Sequence, residues 1–144
     1  MLSPQEIDQL RITASEARTH AFVHRTGFAV GATVLTLDGQ YFGGCNIESI
    51  ISGLGACAEV AAIDHAVVHG HYQFKALAVI GPRPIFPCGA CLQYLSLFGQ
   101  VSGQDVFIVA LDDDSFETKL LSQLLPHRYL TANNLEAIEA YRQR

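Results

Sequence analysis

Two short segments constrain this chain more than anything else in it: Cys57-Ala58-Glu59 and Pro87-Cys88-Gly89-Ala90-Cys91. Each stands at the start of a stretch with helical patterning. The first helix is expected over residues 56–69, which are Ala-rich, lack Gly and Pro, and run into Gly70. The second is expected over residues 88–98, stopping at Gly99. A Cys-x2-Cys pair that opens a helix lies where free backbone N–H groups stabilise negative charge on sulfur. A third cysteine at the start of a different helix completes a three-sulfur set. Three protein ligands on a tetrahedral Zn2+ leave the fourth position for water, which separates a catalytic zinc from a closed structural one. Bound zinc lowers the pKa of that water from about 15.7 towards roughly 7. Glu59, two residues after Cys57, is poorly placed to ligate the same ion and well placed to carry the water's proton. A lone Cys-x2-Cys is shared by redox motifs and structural zinc sites, and buried cysteines also serve as small hydrophobes. The joint pattern assigns Cys57, Cys88 and Cys91 as ligands of one zinc and Glu59 as the proton shuttle. Cys45, at the end of an expected strand, reads as structural.

The remaining elements follow from patterning. Ser3-Pro4-Gln5-Glu6 is a helix start, with Ser as N-cap, Pro in the first turn and Glu closing a capping box. Ile7, Leu10, Ala14 and Ala17 mark one helical face that fades near His20. Residues 28–37, then Asp38-Gly39, then residues 40–45 read as a β-hairpin, and residues 46–55 as a loop. Lys75–Ile80 and Asp105–Leu111 are short apolar runs suited to interior strands, Asp112–Asp114 an acidic turn, and residues 135–143 a final helix. The order α-β-β-α-β-α-β-α implies crossovers, hence a mixed sheet with helices on both faces. The expectation is a single domain over residues 1–144 with a three-layer α-β-α fold.

Composition narrows the partners. Net charge is −5 and only nine Lys and Arg are present, dispersed along the chain. Polyanion binding needs clustered cations, so a nucleic acid polymer is not the expected partner and a small neutral or cationic ligand is. Residues 1–10 carry no apolar signal-like stretch and no run reaches membrane-spanning length. A cytoplasmic protein is therefore expected, with reduced thiols. Hydrophobic residues make up 49% of the chain and charged residues 16%, a balance that leaves apolar surface for a further copy of the chain.

At these residues the chain resembles the small cytidine deaminases. Phe28-Ala-Val-Gly-Ala, Gly44-Cys45-Asn46-Ile47-Glu48, Cys57-Ala58-Glu59, Pro87-Cys88-Gly89-Ala90-Cys91-Leu92-Gln93 and Leu124-Leu125-Pro126 stand in that family's order and approximate spacing. Three ligands plus a non-ligating Glu is also the known pattern of the zinc deaminases. The resemblance implies a homotetramer with one zinc per subunit, acting in pyrimidine salvage on cytidine and deoxycytidine. Zinc-bound hydroxide would attack C4 of the base, and ammonia would leave. It further implies that Phe28 packs against the nucleoside and that Asn46 and Glu48 bond the sugar hydroxyls. The Ala58 N–H would meet the base carbonyl, and the Phe86 C=O would hold the amino group. Tyr129 matches an aromatic that reaches a neighbouring subunit's site. Taken singly, Phe28 reads as a core residue, Glu48 as a solvated loop charge and Asn46 as a turn residue satisfying backbone. Together, as Asn-x-Glu ahead of the first cysteine, they point to sugar recognition.

The chain also departs from the pattern. Val60 and Leu92 occupy places where the family usually carries arginines, which relieve the negative charge of three thiolates on zinc. Arg25, His24 and Arg83 are the candidate replacements. His24-Arg25-Thr26 stands for the family's Pro-Tyr-Ser, and Ser49-Ile50-Ile51-Ser52 makes the wall of the pocket more apolar. Two other readings compete with plain cytidine deamination: a blasticidin-S-type deaminase, and a non-catalytic zinc-binding module on the same fold.

Overall fold

The computed structural model describes residues 1–129 and 135–144. Helix α1 (Pro4–Arg18) starts as the local chemistry dictates. The Ser3 hydroxyl accepts the Glu6 N–H at 3.2 Å, and the Glu6 carboxylate accepts the Ser3 N–H at 2.8 Å. Its buried stripe is Ile7, Leu10 and Ala14. Strands β1 (Gly31–Thr36) and β2 (Tyr41–Cys45) form the expected hairpin, paired from Gly31–Cys45 to Leu35–Tyr41. Strand β1 begins three residues later than Phe28, because the Val30 N–H is taken by the Asn46 side chain instead of a ladder partner.

Helix α2 (Ala58–Val68), strand β3 (Phe74–Ile80), helix α3 (Gly89–Ser102) and strand β4 (Phe107–Leu111) follow in turn. The five-stranded sheet has the order β2-β1-β3-β4-β5, with β3 and β4 parallel and every other pair antiparallel. Alternation along β3 divides the core. Ala76, Ala78 and Ile80 face α1 with Ile7, Leu10 and Ala14. Leu77 and Val79 face α2 and α3 with Ala62, Ile63, Ala66 and Leu95. The three-layer α-β-α architecture with a mixed sheet is therefore present, and no described helix is long and apolar enough to cross a membrane.

Two expectations required correction. Helix α3 runs through Gly99 to Ser102 and ends on Gly103, whose φ of 67° is the left-handed C-cap. Gly99 faces Leu121 and Val106 across the core, so its small size serves packing there and not termination. Strand β5 (Phe116–Leu120), the fifth strand, was not anticipated. It is mostly exposed and polar, Phe-Glu-Thr-Lys-Leu, and gains its structure from pairing with β4. It leads into the short helix α4 (Leu121–Leu124), and the last expected helix divides into α5 (Leu135–Glu139) and a 3-10 turn over Ala140–Gln143.

Helix α2 lies directly on β2 because Gly44 has no side chain. A Cβ there would stand 2.2 Å from the Ala62 nitrogen and 2.6 Å from the Ala58 oxygen. Gly31 does the same for α1, where a Cβ would stand 1.9 Å from the Ala14 oxygen. Rigid backbone offers no cheap relief, so Gly44→Ala is expected to cost about 2–3 kcal/mol of stability. Urea denaturation measures it, and an unchanged midpoint would contradict this close packing.

Candidate metal centre and active site

Cys57 is the N-cap of α2 and Cys88 the N-cap of α3, both in extended backbone conformation, and Cys91 lies in the first turn of α3. The three Sγ atoms all lie within 4.8 Å of one another, and those of Cys88 and Cys91 are 3.5 Å apart. Tetrahedral Zn–S bonds of about 2.3 Å place sulfurs roughly 3.8 Å apart, so the set fits one zinc ion. It is the one such three-ligand cluster among the described residues. The Tyr94 hydroxyl of α3 donates to the Asp64 carboxylate of α2 at 2.7 Å, tying together the two helices that carry the thiols. Burial, then the nearby Asp64 carboxylate, push the Tyr94 phenol up to about 12.

The electrostatics call for a cation. Burial pushes the Cys57 and Cys91 thiols above their ordinary range, and the Glu59 carboxylate pushes both further. Burial also acts upward on Cys88, but the backbone N–H groups of Cys91 and Ala90 outweigh it and hold that thiol below its usual value. Glu59 is only 6% exposed. Burial raises its pKa, while its own backbone N–H and the Cys91 thiol pull it partly back. A carboxyl group buried without a cationic partner is costly, and Glu59 bears that cost beside the thiols. Among the described residues, the charges that weigh most on the three thiols are Glu59 and the cysteines themselves. His24, Arg25 and Arg83 are not among these principal influences. The His24 ring packs on Phe22 at 5.1 Å. Val60 is half-buried and Leu92 buried, so neither position is filled by another charged group.

The residues expected to meet substrate gather at the same end of the sheet. Asn46 accepts the Val30 N–H at 2.9 Å and donates to the Phe28 C=O at 2.8 Å. Its amide thus satisfies backbone and fixes the segment leading into β1, on which Phe28 lies. Glu48 is bonded by the Arg25 N–H at 2.7 Å, by the Thr26 N–H and by the Thr26 hydroxyl. The Thr26 hydroxyl is the largest influence holding the Glu48 carboxyl below its usual range. Phe28 and Phe86 are half-buried against the core beneath α2 and α3. Ala58 is fully buried at the first position of α2, where helix N–H groups lack intrahelical partners.

Tyr129 has its ring 72% exposed, but its backbone is anchored. The Gln93 side-chain amide accepts the Tyr129 N–H and donates to the Tyr129 C=O, both at 2.8 Å. Gln93 and Thr26 are thus positioning residues that sequence reasoning did not assign. The signal for Gln93 was its place two residues after Cys91, on the next face of the same helical turn. Thr26 carries a hydroxyl in the segment His24-Arg25-Thr26, which read only as a departure from pattern.

Removing the Asn46 amide leaves the Val30 N–H and the Phe28 C=O unpaired. Asn46→Ala is therefore expected to destabilise the fold by about 1–3 kcal/mol, read from the thermal or urea transition. A fully stable variant would show that the amide does not hold this loop.

Residues 4–106 match the family model described as the cytidine and deoxycytidylate deaminase zinc-binding region. A cytidine deaminase of Sporosarcina psychrophila is 38% identical over 123 residues, covering 84% of this chain and 89% of that protein. The crystal structure of cytidine deaminase from Burkholderia pseudomallei superposes with a TM-score of 0.76 at 32% identity, covering 89% of this chain and all of that one. A blasticidin-S deaminase of Bacillus cereus is more distant, 26% identical over 110 residues, 69% of this chain and 76% of that protein. With the family model matched over residues 4–106, 38% identity to a cytidine deaminase over most of both chains, and a shared fold, the chain belongs to the cytidine and deoxycytidylate deaminase family.

Proposed function

We propose that the protein is a zinc-dependent hydrolase that converts cytidine or deoxycytidine to the corresponding uridine product with release of ammonia. The observation that carries this reading is Glu59, a carboxyl group buried at the edge of a three-thiol cluster with no partner of opposite charge among the described residues. A zinc ion, which Cys57, Cys88 and Cys91 would hold, would supply Lewis acidity that makes water a nucleophile near neutral pH. Glu59 would take a proton from the attacking water and deliver it to N3 of the ring as C4 is attacked. It would then take the remaining hydroxyl proton and pass it to the amino group, so that the C4–N bond breaks and ammonia leaves. In this reading the Ala58 N–H, at the start of α2, meets the base carbonyl, and the Phe86 C=O accepts from the amino group.

Phe28 supplies an apolar wall for the nucleoside. Glu48, held ionised by Thr26 and Arg25, accepts from a sugar hydroxyl. Asn46 contributes chiefly by fixing Phe28, with a lone pair of its carbonyl oxygen left for the sugar. The exposed ring of Tyr129 and the exposed apolar residues Phe22, Ile50, Ile51 and Leu54 support assembly into a homotetramer, with Tyr129 reaching a neighbouring site. The Gln93 clamp sets where that ring emerges. A non-catalytic role gives no reason to bury Glu59. Blasticidin S as substrate has weaker support, since the match to its deaminase is more distant and Asn46-Ile47-Glu48 suits an ordinary ribose.

Ammonia release from cytidine tests the reading directly. Glu59→Gln is expected to lose at least about a hundredfold in turnover while metal analysis still finds one zinc per chain. Turnover at the parent rate would exclude the assigned role. Cys88→Ala is expected instead to lose the zinc and to melt at lower temperature; retention of a full equivalent of tightly bound zinc would remove Cys88 from the ligand set.

A further inference from the structure

We propose that His65 and His69, at the far end of α2, form a second and separate site for a zinc-class divalent ion, bound through both Nε2 atoms. The two residues are four apart on one helix face, both exposed, with ring centroids 4.9 Å apart. Two imidazoles bound through Nε2 at about 2.1 Å to one ion have centroids roughly 4.5–5.2 Å apart, for ligand–metal–ligand angles between about 90° and 110°. The observed separation falls inside that window without any movement of the helix.

Tautomers decide whether such a pair can ligate. The His65 Nδ1 lies 2.9 Å from the Gly43 C=O, and the His69 Nδ1 lies 2.8 Å from the His65 C=O. A carbonyl oxygen only accepts, so each Nδ1 carries the proton, and the neutral ring keeps its lone pair at Nε2. An outer Nδ1–H bond to oxygen is the arrangement that orients metal-binding histidines. His71 repeats it, with its Nδ1 3.4 Å from the Asp38 carboxylate.

The ring of Phe42 locks the arrangement in place. It packs on His65 at 5.3 Å, on His69 at 5.6 Å and on His71 at 5.0 Å, so the imidazoles rest on an apolar floor and lose rotamer freedom before any ion arrives. The backbone adds a further term. His65 is in the last turn of α2 and His69 is its C-cap, the negative end of the helix dipole, which favours a cation. The same helix begins at Cys57, about 12–18 Å away at 1.5 Å per residue, with the opposite end of its dipole turned to the thiols. The two sites thus differ in donor type, charge and exposure. Among the described residues the histidine pair has no third protein ligand at close range, so water would fill the ion's remaining positions and the ion would exchange readily.

Counting zinc on the intact, zinc-loaded protein tests the proposal independently of turnover. Equilibrium dialysis against excess Zn2+ is expected to find one further equivalent per chain beyond the tightly held one. His65→Ala and His69→Ala should each weaken that further equivalent at least tenfold. Both variants should keep the tight equivalent and the parent rate on cytidine, which also shows that they are folded. Long-range proton–nitrogen NMR of the imidazoles supplies a second reading. His65 and His69 should appear as Nδ1–H tautomers, and their Nε2 resonances should shift on Zn2+ addition. A single equivalent in the parent, a further equivalent untouched by either substitution, or Nε2–H tautomers would overturn the proposal.

Discussion

Two helix N-termini meet at one end of the sheet, and the rest of the molecule is arranged around keeping them there. α2 brings Cys57 and Glu59, and α3 brings Cys88 and Cys91. α3 follows β3 on the crossover to its parallel neighbour β4, so its first turn lies at the carboxyl end of the strand, where open α/β sheets place their ligands. α2 reaches the same end only because Gly44 allows its backbone onto β2. The Tyr94–Asp64 bond then fixes the two helices to each other. A displacement of either helix would open the sulfur set, since tetrahedral zinc tolerates little spread among its ligands.

Charge at this centre is one-sided. Three thiols and a buried carboxyl face one another, and the residues following Glu59 and Cys91 are the apolar Val60 and Leu92. Backbone N–H groups at the start of α3 provide part of the relief, as the lowered Cys88 thiol shows. The remaining relief falls to the metal ion itself, which ties the electrostatic balance of the site closely to zinc. Apolar side chains at those two positions also make the surroundings of the thiolates drier, and this strengthens each remaining interaction at the centre.

The zinc ligands and Glu59 were legible because their chemistry is local: a cysteine opening a helix, a glutamate two residues on, a Cys-x2-Cys turn. The α1 capping box and the hairpin at Asp38-Gly39 were legible for the same reason. β5 was not, because Phe-Glu-Thr-Lys-Leu has little apolar pattern and becomes a strand only beside β4. Gly99 misled because a glycine in a helix can serve as a stop or as a close contact, and only Leu121 and Val106 across the core decide which. Asn46 and Glu48 stood out in the sequence as a pair, but not for the bonds they make. Their bonds to Val30, Phe28, Arg25 and Thr26 come from chain segments too far away in sequence to be paired by pattern.

By itself, then, the sequence determined the three cysteines as a donor set, singled out Glu59 beside them, and set the three-layer fold class. Each of these follows from side-chain chemistry and from periods of two or 3.6 residues. Only the tertiary structure decided that the three sulfurs lie within one ion's reach and that Asn46 spends its amide on backbone. It alone joined Gln93 to Tyr129, and His65 and His69 to the carbonyls that set their tautomers. The physical reason is that hydrogen bonding and metal geometry depend on distances between elements, and those are fixed by packing across the sheet, where two glycines and one tyrosine count for as much as the motifs.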